Sequence, residues 1–314
     1  MTGEGARESA PAFSIVVPTY NEGEDIAATC DAVRQLSRDP EVIFVDGGST
    51  DDTRTIIRRY LTRPSMRLIE EGTRRGVAAA RNAGARAASG DVIVFLNADV
   101  RLSADFLDRL VPHYEAGADY VAVDARVLNL ESVFGRFLEA QHRHMYGPGK
   151  AVGWTEGFSC RRSLALDVGL FPAQLPGAGG EDGEFVARLE RATARGVVDR
   201  TIVVEHVTPS TWTDFWQQWE GRGVSVPFLR HLVHGAPWPR VVADRAAASL
   251  WSLLVMLLIA PVAGRALALA GHSARGWRDA PAFLLLHVVL VLAHRVGEWK
   301  GVRRLSRRRT VHAG

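Results

Sequence analysis

Cysteine is scarce: only Cys30 and Cys160 occur in 314 residues, with no metal or redox spacing between them. A disulfide framework is therefore not expected, and a reducing compartment suits the chain. The opening stretch MTGEGARESAPAF lacks the basic-then-apolar order of a signal peptide, and residues 1–12 read as a flexible tail. Internal repeats and low-complexity segments are missing as well. Acids are absent from residues 300–314, which carry Lys300, Arg303, Arg304, Arg307, Arg308 and Arg309. Taking those six from the net charge of +3 leaves −3 on the first 299 residues. The pI of about 9.1 thus describes a tail and argues against a nucleic-acid-binding body. Such a tail suits either anionic lipid head groups or plain solvation.

Charge is also missing from AAASLWSLLVMLLIAPVAG, residues 246–264. Nineteen uncharged residues approach the roughly 20 that cross a bilayer core. A second apolar stretch over 281–296 carries His287 and His294 and reads as a crossing or an interfacial helix. Two crossings would place both residues 1–245 and the basic tail in the cytoplasm, at a multi-pass cell-membrane protein. The Trp-rich residues 211–245 read as an amphipathic interfacial region or as an ordinary packed helix.

The rest of the chain is rich in core-forming residues, at 47% apolar. FSIVVPTY, EVIFVDGGST, MRLIEEG and DVIVFLNADV are short apolar runs closed by turn residues, and helical periodicities separate them. Strands alternating with helices define βαβ units and a mostly parallel α/β sheet. Ligands bind such sheets at the carboxyl ends of the strands. Asp46 and Asp99 both stand at strand ends, beyond what turn chemistry alone requires. Asp51 and Asp52 read as caps of the following helix.

Four segments in order, IVVPTYNEGEDI, VIFVDGGSTDDT, GVAAARNAGARAASGDVIVFLNADV and GEDGEFVARL, resemble family 2 glycosyltransferases of the GT-A fold. The resemblance covers residues 13–210. It implies a Rossmann-like nucleotide-sugar domain over that span, then the interfacial region 211–245, membrane helices within 246–298 and a basic tail over 299–314. It further implies transfer from a nucleotide-diphosphate sugar to a lipid or lipid-linked acceptor, with inversion and with Mg²⁺ or Mn²⁺ as cofactor. Hard cations of that kind favour carboxylate oxygens.

Residue by residue, the family's Asp-x-Asp becomes Asn97-Ala98-Asp99, so Asp99 keeps the metal role and Asn97 departs from the pattern. The donor site implied by resemblance comprises Pro18, Thr19, Tyr20, Glu22, Asp46, Gly47, Arg75, Arg81, Asn97, Ala98 and Asp99, with Asn82 in the segment that covers the nucleotide. Asp182, beside Glu181, matches the catalytic carboxylate. A helix N-cap is the bland alternative for it, and orienting a phosphate acceptor is another. His206 is a candidate third metal ligand. Trp154, Glu156 and Gly157 are expected to line the acceptor side. Two rivals stand beside this reading. A membrane-tethered pseudoenzyme draws on the missing first acid. A sugar nucleotidyltransferase would open with a Gly-x-Gly-Thr-Arg loop, which PTYNEGED lacks.

Overall fold

The computed structural model describes residues 10–73, 75–146, 156–192 and 194–312, with side chains through 308. The chain opens with β1 (Phe13–Thr19), α1 (Ile26–Arg34), β2 (Glu41–Asp46), α2 (Thr53–Tyr60), β3 (Met66–Glu70), α3 (Val77–Ala87) and β4 (Val92–Phe95). It continues through β5 (Val100–Arg101), α4 (Phe106–Glu115), β6 (Tyr120–Val127), α5 (Val133–Tyr146), β7 (Phe158–Arg161), α6 (Arg162–Asp167), α7 (Glu181–Arg191) and β8 (Gly196–His206). Helices α8 (Trp212–Phe228), α9 (Trp238–Leu257), α10 (Ala260–Ala270) and α11 (Ala280–His312) complete it.

The strands form one mixed sheet in the order β3-β2-β1-β4-β7-β6-β8-β5. The first four strands in chain order are parallel to one another, and β6 is parallel to β8. Antiparallel pairing enters with β7 and β5. The continuous apolar runs follow from burial on both faces, as expected of parallel strands. Ile15, Val17, Val92 and Val94 enter one core, while Val16, Ile93 and Phe95 enter the other. The small residues of α3 have a packing reason: a Cβ on Gly84 would lie 2.3 Å from Val16 Cγ1. Only a bare glycine brings this helix so close to β1.

The C-terminal third departs from the expected pair of straight crossings. The run 246–264 is not one helix. It breaks at Leu258 and Ile259, where Ile259 takes φ 55°, and α9 and α10 diverge by 82°. Pro261, in the first turn of α10, explains the break, since proline cannot continue a helix from preceding residues. Among the described residues, the one unbroken helix long and apolar enough to cross a membrane spans Gly276–Arg308. The Trp-rich segment forms α8, which is sandwiched: Phe215, Gly223, Val224, Ser225 and Phe228 are buried. Phe134, Phe137 and Ala140 of α5 join Phe215 of α8, Leu269 of α10 and Phe283, Leu286 and Leu290 of α11 in a third apolar core.

Candidate active site

A cleft of about 300 Å³ opens at the carboxyl ends of β1 and β4. Pro18, Thr19, Tyr20, Glu22 and Gly47 line one side. Ala80, Arg81, Asn97, Ala98 and Asp99 line the other. Gly76, Val77, Pro176, Gly177 and Ala178 complete the wall. Sequence reading missed these five and Ala80. For the last three the glycine-rich segment PGAGG was the visible signal, and a Cβ on its Gly179 would lie 2.8 Å from Arg222 Cα, so α8 closes tightly on this loop.

Two pairs of ionisable groups adjoin the cleft, one through Asp99 and the other through Arg81 of its wall. In the first, Asp99 Oδ2 stands 2.9 Å from His206 Nε2. Topology causes this meeting, because β5 pairs antiparallel with β8 and sets Val100 opposite His206. On the other side of the ring, Glu156 Oε1 lies 3.6 Å from His206 Nδ1. Burial by itself would push the imidazole down, but Asp99 and Glu156 outweigh it and raise His206 to about 10. Asp99 Oδ1 is buried and has no hydrogen-bond partner. Glu22 belongs to the same electrostatic field. Burial, then the charges of Asp99, Asp25 and Asp51, push its carboxyl up to about 8.

The second pair is Glu181 and Asp182, in the first turn of α7. The helix N-terminus favours negative charge there. The N-cap is Gly180, in the left-handed region at φ 89°, so Asp182 is not the cap. Asp182 Oδ1 accepts from Arg81 Nη1 at 2.6 Å, and Glu181 Oε1 lies 3.3 Å from the same nitrogen. Arg81 Nη2 donates to Asn97 Oδ1 at 2.9 Å. The guanidinium also stacks on Phe171, 5.3 Å from the ring centroid. Burial, then the charge of Asp182, raises the Glu181 carboxyl despite Arg81.

Several expected contacts fall elsewhere. Asp46 is fully buried below the cleft, and its carboxylate accepts from the Gly48 and Ser49 amides at 3.0 Å and from the Ser49 hydroxyl. The backbone of its neighbour Gly47 faces the ligand space instead. Arg75 points outward and its nearest acid is Glu71, 3.7 Å away. Asn82 does not cover the cleft, since its amide bonds the backbone N–H and C=O of Phe171. Arg81 lines the cleft, yet its charge is held by the acid pair. Glu156 joins His206 rather than a separate acceptor wall, and Gly157 is packed against Val204 and Val123. Trp154 lies outside the described residues. Asp51 accepts from Thr53 N–H and Gly23 N–H and so caps the start of α2, whereas Asp52, at the N-cap position itself, makes no side-chain capping bond.

Among the described residues no three His, Cys, Asp or Glu side chains already converge as a metal cage. The orphaned Asp99 Oδ1 beside an imidazole nevertheless fits a cation that takes its remaining ligands from a substrate, as Mg²⁺ does with phosphates.

Comparison with known proteins agrees with this geometry. Residues 14–165 match the model described as glycosyl transferase family 2, and residues 92–294 match that of glycosyl transferase family group 2. The chain belongs to the family 2 glycosyltransferases and is a glycosyltransferase of the GT-A fold. It is 28% identical over 316 residues to the succinoglycan biosynthesis protein ExoA of Rhizobium meliloti (strain 1021), across 94% of this chain and 96% of that protein. A PGL/p-HBAD biosynthesis glycosyltransferase of Mycobacterium tuberculosis is 41% identical over 105 residues, 32% of this chain and 41% of that protein. Among solved structures, the mannosyltransferase PcManGT from Pyrobaculum calidifontis, in complex with GDP-Man and Mn²⁺, superposes with a TM-score of 0.62 at 24% identity, over 93% of this chain and 88% of that one. TarS 1-349 of S. aureus in complex with UDP-GlcNAc gives 0.54 at 19%, over 93% and 92%. At these identities the two structures speak for the fold alone.

Proposed function

We propose that the chain moves a sugar from a nucleotide-diphosphate donor to a lipid or lipid-linked acceptor at the membrane surface, with inversion and with a divalent cation as cofactor. The observation that carries this reading is the cleft itself, whose wall holds both the orphaned Asp99 oxygen and Arg81, the residue that grips the Asp182 carboxylate. Asp99 would hold the cation, joined by His206 once its imidazole gives up a proton, and the cation when bound offsets charge on the departing diphosphate.

The chain's own groups account for the remainder. Pro18, Thr19, Tyr20 and Gly47 bind the nucleoside, and Glu22 orients the ribose. Asp182 takes the proton of the acceptor hydroxyl as its oxygen bonds the anomeric carbon and the electron pair of the breaking C–O bond leaves with the nucleoside diphosphate. Attack from the face opposite the leaving group inverts that carbon. For a phosphate acceptor no proton need be removed, and Asp182 then orients the acceptor. Arg81 fixes the position of Asp182 relative to Asn97. A lipid acceptor is supported by the wide apolar exposure of the C-terminal helices, where Leu257 is 74% and Trp251 69% exposed. A membrane-bound enzyme drawing on cytosolic donor sugars would keep this domain on the cytoplasmic side.

The test is a thermal-shift screen of nucleotide-sugars with Mn²⁺ or Mg²⁺, GDP-Man and UDP-GlcNAc included, followed by labelled-sugar transfer into a membrane lipid extract. A metal-dependent shift with one donor and label in the lipid phase support the reading. Metal-dependent binding with no turnover on any acceptor leaves the pseudoenzyme, and the absence of any shift overturns the donor site.

A further inference from the structure

Helix α11 is long and apolar enough to cross a bilayer, yet both of its ends rest on the same domain. Near its start, Phe283 packs on Phe137 of α5, with ring centroids 5.3 Å apart. The turn just before it is tied to α5 by a buried ion pair, Arg136 Nε to Asp279 Oδ2 at 2.8 Å. Helix α5 is itself fastened to the sheet, where Arg143 meets Asp124 of β6 at 3.0 Å. Near the other end, Leu305 is buried with Leu175 of the cleft loop and Phe228 of α8. The 22 residues between Phe283 and Leu305 span about 33 Å of helix, the thickness of a bilayer core. A crossing helix would hold these ends on opposite sides of the membrane. Here both touch elements fastened to one sheet-bearing domain.

Contact is continuous between the two ends. A Cβ on Gly223 of α8 would lie 2.1 Å from His294 O, one on Gly297 2.0 Å from Glu220 O, and one on Gly301 2.4 Å from Val224 O. Glycines on both helices thus let the backbones touch, and α8 in turn carries the cleft loop through Ser225 Oγ, which donates to Gly177 O at 3.1 Å. Helix α11 lies along the domain, not away from it.

The outer surface of the same layer is apolar. Leu250, Trp251, Leu253, Leu254 and Leu257 of α9, with Leu258 and Ile259 of the bend, are between 46% and 74% exposed. Leu292, Val296 and Trp299 of α11 continue the patch and, with Leu253, Met256 and the basic Arg295, Lys300 and Arg303, line a groove. Apolar side chains at a bend, tryptophans beside them and a basic border form the pattern that buries in one leaflet and draws anionic head groups.

We propose that this chain is monotopic: the α9–α10 bend, led by Leu254, Leu257, Leu258 and Ile259, dips into one leaflet of an anionic bilayer, and no helix crosses it. The inference rests on the membrane reading above but not on the transfer chemistry. In this arrangement α11 lies at the membrane surface, and its basic end meets the head groups without being returned to that side by a second crossing.

The full-length protein provides the test, since Cys30 and Cys160 are both buried. Single cysteines are placed by Asp105→Cys on the catalytic domain, by Ala274→Cys in the turn after α10 and by Ser306→Cys near the end of α11, and an impermeant maleimide is applied to intact and to permeabilised cells. A monotopic chain shows all three positions on the same side. Opposite sides for any two of them would establish a crossing between them and overturn the proposal while leaving membrane binding standing. In flotation with vesicles of phosphatidylcholine and phosphatidylglycerol, Leu257→Asp with Leu258→Asp lowers the partition coefficient about 100-fold, the scale of two buried leucines lost. Thermal unfolding matching the unaltered chain shows that the variant is folded. Unchanged flotation of that folded variant overturns the role of the bend, and failure of the unaltered chain to float removes the membrane reading itself.

Discussion

Arg81 Nη1 donates to Asp182 Oδ1 at 2.6 Å, across 101 residues of sequence. The same guanidinium reaches Asn97 through Nη2, so one side chain ties the strand-end motif to the acid pair of α7. It is nearly free of solvent, with 4% of its side chain exposed, so the contact is insulated from screening. The departure from Asp-x-Asp acquires a reason in this setting. Asn97 accepts Arg81's hydrogen bond through a neutral oxygen, whereas a carboxylate there would add charge beside a cleft that already holds Asp99 and Glu22 and beside the Glu181 and Asp182 carboxyls that share Arg81.

Arg81→Lys keeps the charge but cannot reach three acceptors from one ammonium. Asp182 then loses its fixed position, and a misplaced catalytic group costs about 100-fold in rate. The expected result is that kcat falls on that scale while the donor KM changes little. Stability suffers less than a buried charge suggests, because Glu181 is already inclined to hold a proton. A large rise in KM with kcat unchanged would instead make Arg81 a donor-phosphate contact.

Asp182→Asn preserves shape and hydrogen bonding to Arg81 but removes the proton acceptor. Transfer to a hydroxyl acceptor falls at least about 100-fold, the usual scale for a lost general base, with donor binding intact by titration calorimetry. Donor affinity collapsing together with the rate would move Asp182 into the donor site.

At the metal motif, opposite effects are expected from two single changes. Asp99→Asn removes metal-dependent nucleotide binding, because the buried oxygen beside His206 no longer carries charge. Asn97→Asp adds a carboxylate to the same strand end and tightens Mn²⁺-dependent binding, while its ion pair with Arg81 limits the gain. Thermal shift of the nucleotide complex across a Mn²⁺ titration reads both. Equal Mn²⁺ dependence in Asp99→Asn and the unaltered chain would refute the assignment.

How much of this was legible follows from how local each signal is. Strand-end acids are local: an apolar run followed by Asn97-Ala98-Asp99 announces a sheet rim, and the cleft lies there. The nearness of His206 to Asp99 depends on a two-residue strand, β5, which is too short for any periodicity to betray, so only the family resemblance suggested it. Arg81 was assigned to the donor because nothing in sequence says that α7 will fold back against α3. The break at Ile259 had a readable cue in Pro261, but hydropathy sums apolar residues and is blind to direction. For α11, composition registered the apolar stretch 281–296 but neither the helix's continuation through the basic residues to His312 nor the glycines at 297 and 301 that press it onto α8.

Acid should weaken the anchor of that helix. Asp279 accepts from Arg136 at 2.8 and 3.1 Å and from Ser273 Oγ at 2.6 Å. Burial opposes its ionisation, but the Arg136 and Ser273 hydrogen bonds outweigh it and hold the carboxyl below its usual range. A carboxyl depressed on folding contributes stability above its unfolded pKa, about 3.9, and loses that contribution as pH falls through the folded value. Asp279→Asn leaves Arg136 buried without a counter-charge and costs about 3–5 kcal/mol at pH 7. The gap between variant and unaltered chain, followed by urea unfolding, stays constant down to about pH 4 and narrows below it. A gap independent of pH down to pH 2 would show that the pair contributes packing alone.

The glycine contact between α8 and α11 makes the most local claim. Gly297→Ala would place a methyl group 2.0 Å from the Glu220 carbonyl oxygen, and backbone cannot move aside as a flexible side chain can. The two helices must separate, at the 1–3 kcal/mol, roughly, that overpacking costs. Because Ser225 on α8 holds Gly177 of the cleft wall, the separation also loosens the donor site, and nucleotide affinity falls along with the melting temperature. Gly264→Ala is the matched control: it lies within α10 and meets nothing within 4 Å, so the alanine gains helix propensity of about 0.5–1 kcal/mol and leaves the nucleotide site untouched. If both substitutions shift stability in the same direction, helix propensity governs this layer and the close contact of α8 with α11 does not. If Gly297→Ala lowers the melting temperature while nucleotide affinity holds, α11 is fastened to the domain without bracing the cleft.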